Sequence, residues 1–279
     1  MVGVVDAVRD NAEALLIRHE LRHRAALTPL GFAARVGFEP DEPQKRLLTS
    51  RALKILVNCT RQWGKSTTAA LMAVHQCSAV PGSEVLVVAP AERQSKELVR
   101  KARPFIRAAG MRTVVFGKTE IEFANGSRIV ALPGSEDTIL GFSAISLLIE
   151  EESSKVPDNL HASIKPMLAV TKKVTGRDPR HILIGTPFGK RGHFYNLWEN
   201  GIGWERHEVM AVDCPRIEPE FLAAEKRELP DCWYRQSYCC EFVGTTSSWF
   251  DQAAIRDAFG ETDLPVWTYD ICSEEVEAL

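Results

Sequence analysis

Short apolar runs alternate with amphipathic stretches along most of the chain. Residues 53–58, 84–89, 145–150 and 181–185 are such runs, each followed by a turn or a helix start. Runs of this length with little polar alternation suit strands buried on both faces, and the helical stretches between them suit crossovers, so the pattern predicts a mainly parallel sheet with helices on both sides. Between the second and third runs, residues 119–123 and 128–132 flank Asn125-Gly126, a dipeptide favoured in two-residue hairpin turns. This predicts an antiparallel addition at the sheet edge. Upstream, Val5, Val8, Ala12, Leu15 and Leu16 recur at helical spacing, and Pro29-Leu30-Gly31 interrupts the pattern. Residues 1–36 therefore read as a helical N-terminal arm. After Gly185 the chain is aromatic and mixed, and Trp198, Trp204 and Trp233 read as core residues. With no internal repeat and no low-complexity linker, residues 37–259 are expected to form one domain, followed by a C-terminal tail at 260–279.

Composition narrows the class. A chain of 279 residues that is 45% hydrophobic and 25% charged has enough apolar material for a large core, which excludes disorder and collagen-like structure. No apolar run approaches the roughly 20 residues that cross a bilayer, and the acidic N-terminus does not resemble a signal peptide, so a soluble intracellular protein is expected. Seven cysteines, none spaced C-x-x-C and two adjacent at Cys239-Cys240, give neither a disulfide framework nor a zinc pattern and suit a reducing compartment. His193 has no sequence neighbour at metal-ligand spacing and reads as a surface or packing histidine. The net charge of −3 conceals two basic groups: Arg93, Lys96, Arg100, Lys101, Arg103 and Arg107, and then Lys165, Lys172, Lys173, Arg177 and Arg180. Each reads as a solvated helix face or as a surface that tracks a phosphate backbone.

The sharpest chemical feature is Cys59-Thr60-Arg61-Gln62-Trp63-Gly64-Lys65-Ser66-Thr67, directly after the first apolar run and before a helical stretch. In a phosphate-binding loop, successive backbone N–H groups and the following helix N-terminus surround the phosphates, the lysine reaches the β- and γ-phosphate oxygens, and the hydroxyl after it ligates Mg²⁺. A bare G-K-S also occurs as an ordinary helix start. The flanking strand and helix favour the nucleotide site, although Cys59 stands where the motif usually has its leading glycine.

Hydrolysis needs carboxylates close to that loop. The third apolar run ends in Glu150-Glu151-Glu152, at the edge of a parallel sheet where ligands bind. The fourth ends in Gly185-Thr186-Pro187, whose hydroxyl is positioned to sense a γ-phosphate if the two strands are neighbours.

With these residues in view, the chain resembles the ATPase domain of the large terminase subunit, the motor that packages DNA into tailed-phage and herpesvirus-like capsids, over about residues 38–259. Arg61-Gln62 precede G-K-S as in the loops of that family. The segment Phe38-Glu39-Pro40-Asp41-Glu42-Pro43-Gln44 is similar to the family's adenine-reading turn. Leu132-Pro133-Gly134-Ser135 and Gly141-Phe142-Ser143-Ala144 are similar to family sequences before the acidic strand, and residues 185–195 to the motif that couples phosphate state to movement on DNA. The resemblance implies an α/β P-loop NTPase of the ASCE type. It implies ATP and Mg²⁺ as cofactors, with Lys65, Arg61 and Glu152 catalytic. Nucleotide would be bound by Gln44, Arg61, Gln62, Trp63, Gly64, Lys65, Ser66, Thr67 and Thr186, and the metal by Ser66 and Glu151. It further implies translocation of double-stranded DNA into a procapsid by a homo-oligomeric ring, with a portal protein and a small terminase subunit as partners, in the host cytoplasm and with no membrane.

Three departures bear on those expectations. Glu151-Glu152-Ser153-Ser154 stands where the family usually has Asp-Glu-Ala-Ala, so a glutamate replaces the metal-supporting aspartate. Leu140 occupies the position of a family arginine that acts on a neighbour's ATP, which leaves Arg128 and Arg191 as candidate fingers. Beyond Phe250-Asp251 and residues 253–259, Asp270, Glu274 and Glu275 do not make the family's nuclease, so that region is expected to be missing or truncated and no nuclease activity is expected from this chain. The alternatives are a helicase-like DNA-remodelling ATPase and a nucleotide-binding assembly module with weak or no hydrolysis.

Overall fold

Four strands form the middle of the sheet: β1 (Lys54–Cys59), β2 (Glu84–Ala89), β6 (Leu147–Glu151) and β7 (Arg180–Gly185). Each is buried along nearly its whole length, as expected of strands covered on both faces. The computed structural model describes residues 28–133 and 141–244, all within one compact unit that ends at Gly244. The helical positions Val5 to Leu16, Gly134-Ser135, Leu140, Phe250-Asp251, residues 253–259 and the tail acids Asp270, Glu274 and Glu275 lie outside the described residues.

The remaining strands are β3 (Thr113–Phe116), β4 (Glu120–Phe123), β5 (Arg128–Pro133) and β8 (Glu205–Val209). The sheet runs β3-β4-β5-β2-β6-β7-β1-β8. Every pair from β5 to β8 is parallel, and β3-β4 and β4-β5 are antiparallel, so the hairpin predicted around Asn125-Gly126 is the edge addition. The expected α/β sheet is thus present, with two strands the apolar pattern did not reveal. One is β8, whose Glu-Arg-His-Glu-Val sequence sits on the open edge beside β1 with its polar side chains largely outside the core.

Successive residues of a strand face opposite sides of the sheet. On one side Ile55, Val57, Val85, Val87, Leu147, Ile149, Ile182 and Ile184 pack under the helices Lys65–Ala79 and Glu92–Ala108. On the other, Leu148 lies with Leu160 and Ile164 of the helix Asp158–Ile164, and Leu56 and Leu183 lie under Phe194 of the helix Gly192–Asn200.

Pro29-Leu30-Gly31 starts a helix. Pro29–Arg35 is helical, with Thr28 Oγ1 accepting the Gly31 amide, because proline's fixed φ and missing N–H suit a first turn. Phe32 and Ala33 of this helix are buried in the main core, so the last part of the expected arm packs as part of the domain. Among the tryptophans, Trp198 and Trp204 pack against the Phe194 cluster, whereas Trp233 is 62% exposed and is not a core residue.

Candidate active site at the phosphate loop

Parallel register brings the C-terminal ends of β1, β7 and β6 to one edge: Asn58 pairs with Gly185, and Ile184 with Glu151. The phosphate loop leaves β1 there. Gln62 and Gly64 adopt φ of 64° and 94°, while Trp63 between them does not. Such alternation turns successive N–H groups towards one concavity. Only glycine takes the second of these angles without strain, and a Cβ at Gly64 would stand 3.2 Å from Gln44 Nε2.

Lys65 and Ser66 open the helix Lys65–Ala79, and each faces one carboxylate. Lys65 Nζ lies 2.8 Å from Glu152 Oε1, and Glu151 is hydrogen-bonded to the Ser66 side chain. Glu151, the last residue of β6, is buried beneath the loop. Glu152 leaves the strand with φ of 53°, which swings its side chain to Lys65. Burial raises the Glu151 carboxyl above its usual range, and the Ser66 hydrogen bond only partly offsets it. Burial acts the same way on Glu152, but the Lys65 charge outweighs it and holds that carboxyl low. Lys65 is raised in turn: burial opposes its charge, and the neighbouring Cys59 sulfur together with the Glu152 and Glu151 carboxylates outweighs it. The pocket thus holds one charged lysine, one ionised glutamate and one glutamate that gains from any added cation. Ser66 and Glu151 form an all-oxygen donor set of the kind Mg²⁺ prefers, so the residues fit the expected metal.

Gln44 is buried, with Oε1 accepting the Asp41 amide at 3.0 Å and Nε2 donating to the Trp63 carbonyl at 3.3 Å. Its amide braces the loop, and reading an adenine edge requires those bonds to be exchanged. Trp63 presents only backbone to the loop, since its ring is fully buried. Arg61 and Gln62 are exposed at the rim, and Thr67 follows in the first helical turn with its amide on the Gly64 carbonyl at 3.0 Å. Thr186 Oγ1 donates to the Cys59 carbonyl at 2.8 Å, so the end of β7 is bonded to the start of the loop. Cys59 itself is buried with its sulfur on the Gly185 carbonyl, and burial lifts its thiol to about 12, which leaves it a neutral packing group.

Several supports carried no signal in the sequence. Arg216 donates to the Trp63 carbonyl and pairs with Asp41 at 2.7 Å, which puts a cation at the loop rim from a segment far along the chain. The Ser237 carbonyl accepts Thr60 Oγ1 at 3.0 Å, and the Cys240 carbonyl accepts Asn58 Nδ2 at 2.7 Å. Glu150 turns to the opposite face of the sheet from Glu151. His193 is there too, buried and bonded to Asp158, so of the two readings its sequence context left open, surface or packing, the packing one holds.

The candidate fingers and basic groups separate once folded. Arg128 pairs with Glu84 and Glu120 at the start of β5, the edge of the sheet opposite the loop, so it does not reach the phosphate loop of its own chain. Arg191 stacks on Phe188, just before the helix Gly192–Asn200. In the helix Glu92–Ala108, Lys96 and Arg100 are neutralised by Glu92 and Glu97. In the second group, Lys172 pairs with Asp178 and Arg180 binds the backbone at Ser50 and Ala52.

A strand inserted between the loop-bearing β1 and the acidic β6, with carboxylates in register at the loop, is the strand order of the P-loop fold of the ASCE type. Comparison with known proteins makes this more specific. The chain is 23% identical, over an alignment of 258 positions that covers 77% of its length, to the large terminase subunits of Thermus phage G20c and Thermus virus P23-45. It spans about half the length of these curated relatives. In structure it is similar to the large terminase ATPase domain of Thermus phage P74-26, with a TM-score of 0.65 at 20% identity, covering 76% of this chain and 98% of that domain. It is also similar to the large terminase of the thermophilic bacteriophage D6E, with a TM-score of 0.60 at 14% identity, covering 77% of this chain and 57% of that one. No family model matches the chain. The terminase resemblance carried by the motifs is therefore found again in both sequence and fold.

Proposed function

We propose that this chain is the ATPase part of a viral DNA-packaging motor: a Mg²⁺-dependent ATPase that drives double-stranded DNA into a procapsid as part of a large terminase subunit. The observation that carries the reading is the convergence of Lys65-Glu152 and Ser66-Glu151 at one phosphate loop, in a fold similar to terminase ATPase domains. A terminase of D6E with a similar fold is known in complex with ATP-γ-S.

In this reading Lys65 exchanges Glu152 for the β- and γ-phosphates, and the released Glu152 carboxylate orients the attacking water. Ser66 and Glu151 hold Mg²⁺, which when bound neutralises charge on the phosphates. Gln44 keeps the loop in register and meets the adenine edge, with Arg61 and the amides of residues 62–67 around the phosphates. Thr186 reports the γ-phosphate by giving up its bond to Cys59. Thr186 itself lies in residues 185–195, the coupling segment, so that signal passes onward to the helix Gly192–Asn200. The ring on the portal, the small terminase subunit, the host-cytoplasmic location and the transient docking on the procapsid follow from the same reading, and the charge for a transition-state finger comes from Arg191 or from a neighbouring subunit.

The test is ATP turnover with and without double-stranded DNA, followed by packaging into portal-bearing procapsids. Wild type hydrolyses ATP, DNA stimulates it, and Lys65→Ala abolishes it. Strand displacement without a capsid partner would favour the helicase-like reading instead. Tight ATP binding with no phosphate release would favour an assembly module.

A further inference from the structure

We propose that Glu150, His161 and His181, with His193 as fourth donor, form a buried site for one divalent transition-metal ion of the zinc class, on the face of the sheet away from the phosphate loop. Glu150 is fully buried near the end of β6. Its Oε1 lies 2.8 Å from His161 Nδ1 and 2.6 Å from His181 Nε2, and its Oε2 lies 3.2 Å from His193 Nε2. One donor atom each from Glu150, His161 and His181 fall within 4.8 Å of one another, all three residues being buried. These donors come from β6, from β7 and from the helices Asp158–Ile164 and Gly192–Asn200, so the fold alone assembles them.

Three observations favour a metal over a purely hydrogen-bonded cluster. Among the described residues, the ion-pair partners of Glu150 are histidines alone, with no lysine or arginine to balance a fully buried carboxylate. Its buried Oε2 has no well-aligned hydrogen bond and faces only His193 Nε2, at 3.2 Å, among the ion-pair partners of the described residues. His193 Nδ1 lies 3.0 Å from Asp158 Oδ1, whose carboxylate selects the Nδ1–H tautomer and turns the Nε2 lone pair inward. Carboxylate-histidine-metal chains are built this way. Three imidazoles and one carboxylate form a closed donor set that suits zinc, whereas Mg²⁺ prefers oxygen. Zinc holds such donors at about 2.0–2.2 Å, hence about 3.4 Å from one another, so Glu150 Oε1 and the two imidazole nitrogens it faces part by about 0.6–0.8 Å to admit it. Ser153 Oγ, 3.0 Å from His193 Nε2, is the group the ion displaces. His181 also forms part of the wall of a surface cavity of about 300 Å³ beside Trp204, which gives a path inward. An ion here clamps β6 and β7 to the two helices, directly behind the turn that carries Glu152.

The test uses the full chain prepared without a histidine tag, and none of its readouts involves ATP, so it stands apart from the ATPase reading. Elemental analysis is expected to find one zinc per chain, and added zinc to raise the melting temperature of chelated protein. Cobalt is expected to give tetrahedral ligand-field bands without thiolate charge transfer. His161→Ala and His181→Ala lose the ion, and Asp158→Asn weakens it about 10–100-fold. His207→Ala, which removes a histidine paired with Glu205 on β8, retains it. No stoichiometric uptake by wild type in zinc excess, with an unchanged melting temperature, would reduce the cluster to a hydrogen-bond network. Thiolate charge transfer would assign the ion to the cysteines and overturn the proposal as well.

Discussion

Replacing Glu152 with glutamine removes one charge from the pocket and keeps the shape. At 2.8 Å, with side chains 12% and 16% exposed, the Lys65-Glu152 pair carries about 6 kcal/mol of Coulomb energy at an effective dielectric constant of about 20. Desolvation of both groups cancels much of it, leaving a net coupling of about 1–3 kcal/mol. Nucleotide must break this pair to reach Lys65, so the coupling counts against ATP binding in the wild type. Glu152→Gln is therefore expected to bind ATP-γ-S with Mg²⁺ about tenfold more tightly, equivalent to about 1.4 kcal/mol, while turnover falls at least about 100-fold for want of a group to orient water. Without nucleotide the variant melts lower, because Lys65 stays partly buried with its nearest partner gone. Calorimetric titration gives the affinity and phosphate release gives the rate. Equal or weaker binding by Glu152→Gln would refute the competition between Glu152 and phosphate, and wild-type turnover would remove Glu152 from the chemistry.

Gln44→Ala deletes a helix cap and the donor to the Trp63 carbonyl, and is expected to lower stability by about 2 kcal/mol in urea unfolding; unchanged stability would dismiss its bracing role. Gly185→Ala puts a Cβ 3.2 Å from the Ser154 amide nitrogen and 3.3 Å from that of Ser153, so the acidic turn must shift. The expected cost is about 1–3 kcal/mol, with turnover reduced more than about tenfold because the carboxylates move with the turn. The pH profile has a defined sign. The folded pKa of Glu152 lies below 4.5, so its contribution is present above that pH and lost as pH falls through the folded value. The folded pKa of Lys65 lies above 10.5, so its contribution is present below that pH and lost as pH rises through the folded value. The stability difference between wild type and Glu152→Gln is thus expected to be flat between about 4.5 and 10.5 and to shrink on either side, as read by denaturation at a series of pH values.

What could be read in advance follows from burial. Strands β1, β2, β6 and β7 are covered on both faces and each holds at least three consecutive apolar residues, so they stand out as runs. β8 lies at an edge, tolerates charge and does not announce itself. Pro29 was ambiguous for a related reason: proline ends one helix and begins another equally well, and only the Thr28 cap distinguishes the two. The phosphate loop was legible because strand, glycine, lysine and hydroxyl are contiguous.

Local sequence determined the sheet strands of the core, the loop and the presence of three acids at a strand end, because each depends on neighbours in the chain. Only the tertiary structure decided how those acids divide. The two-residue period of a strand sends Glu151 to Ser66 and Glu150 to three histidines on the other face, and a left-handed turn carries Glu152 to Lys65. The supports from Arg216, Ser237 and Cys240, and the buried histidine cluster, join residues distant in sequence through parallel register and helix packing. No spacing along the chain encodes such contacts, because the crossovers between strands set them in space.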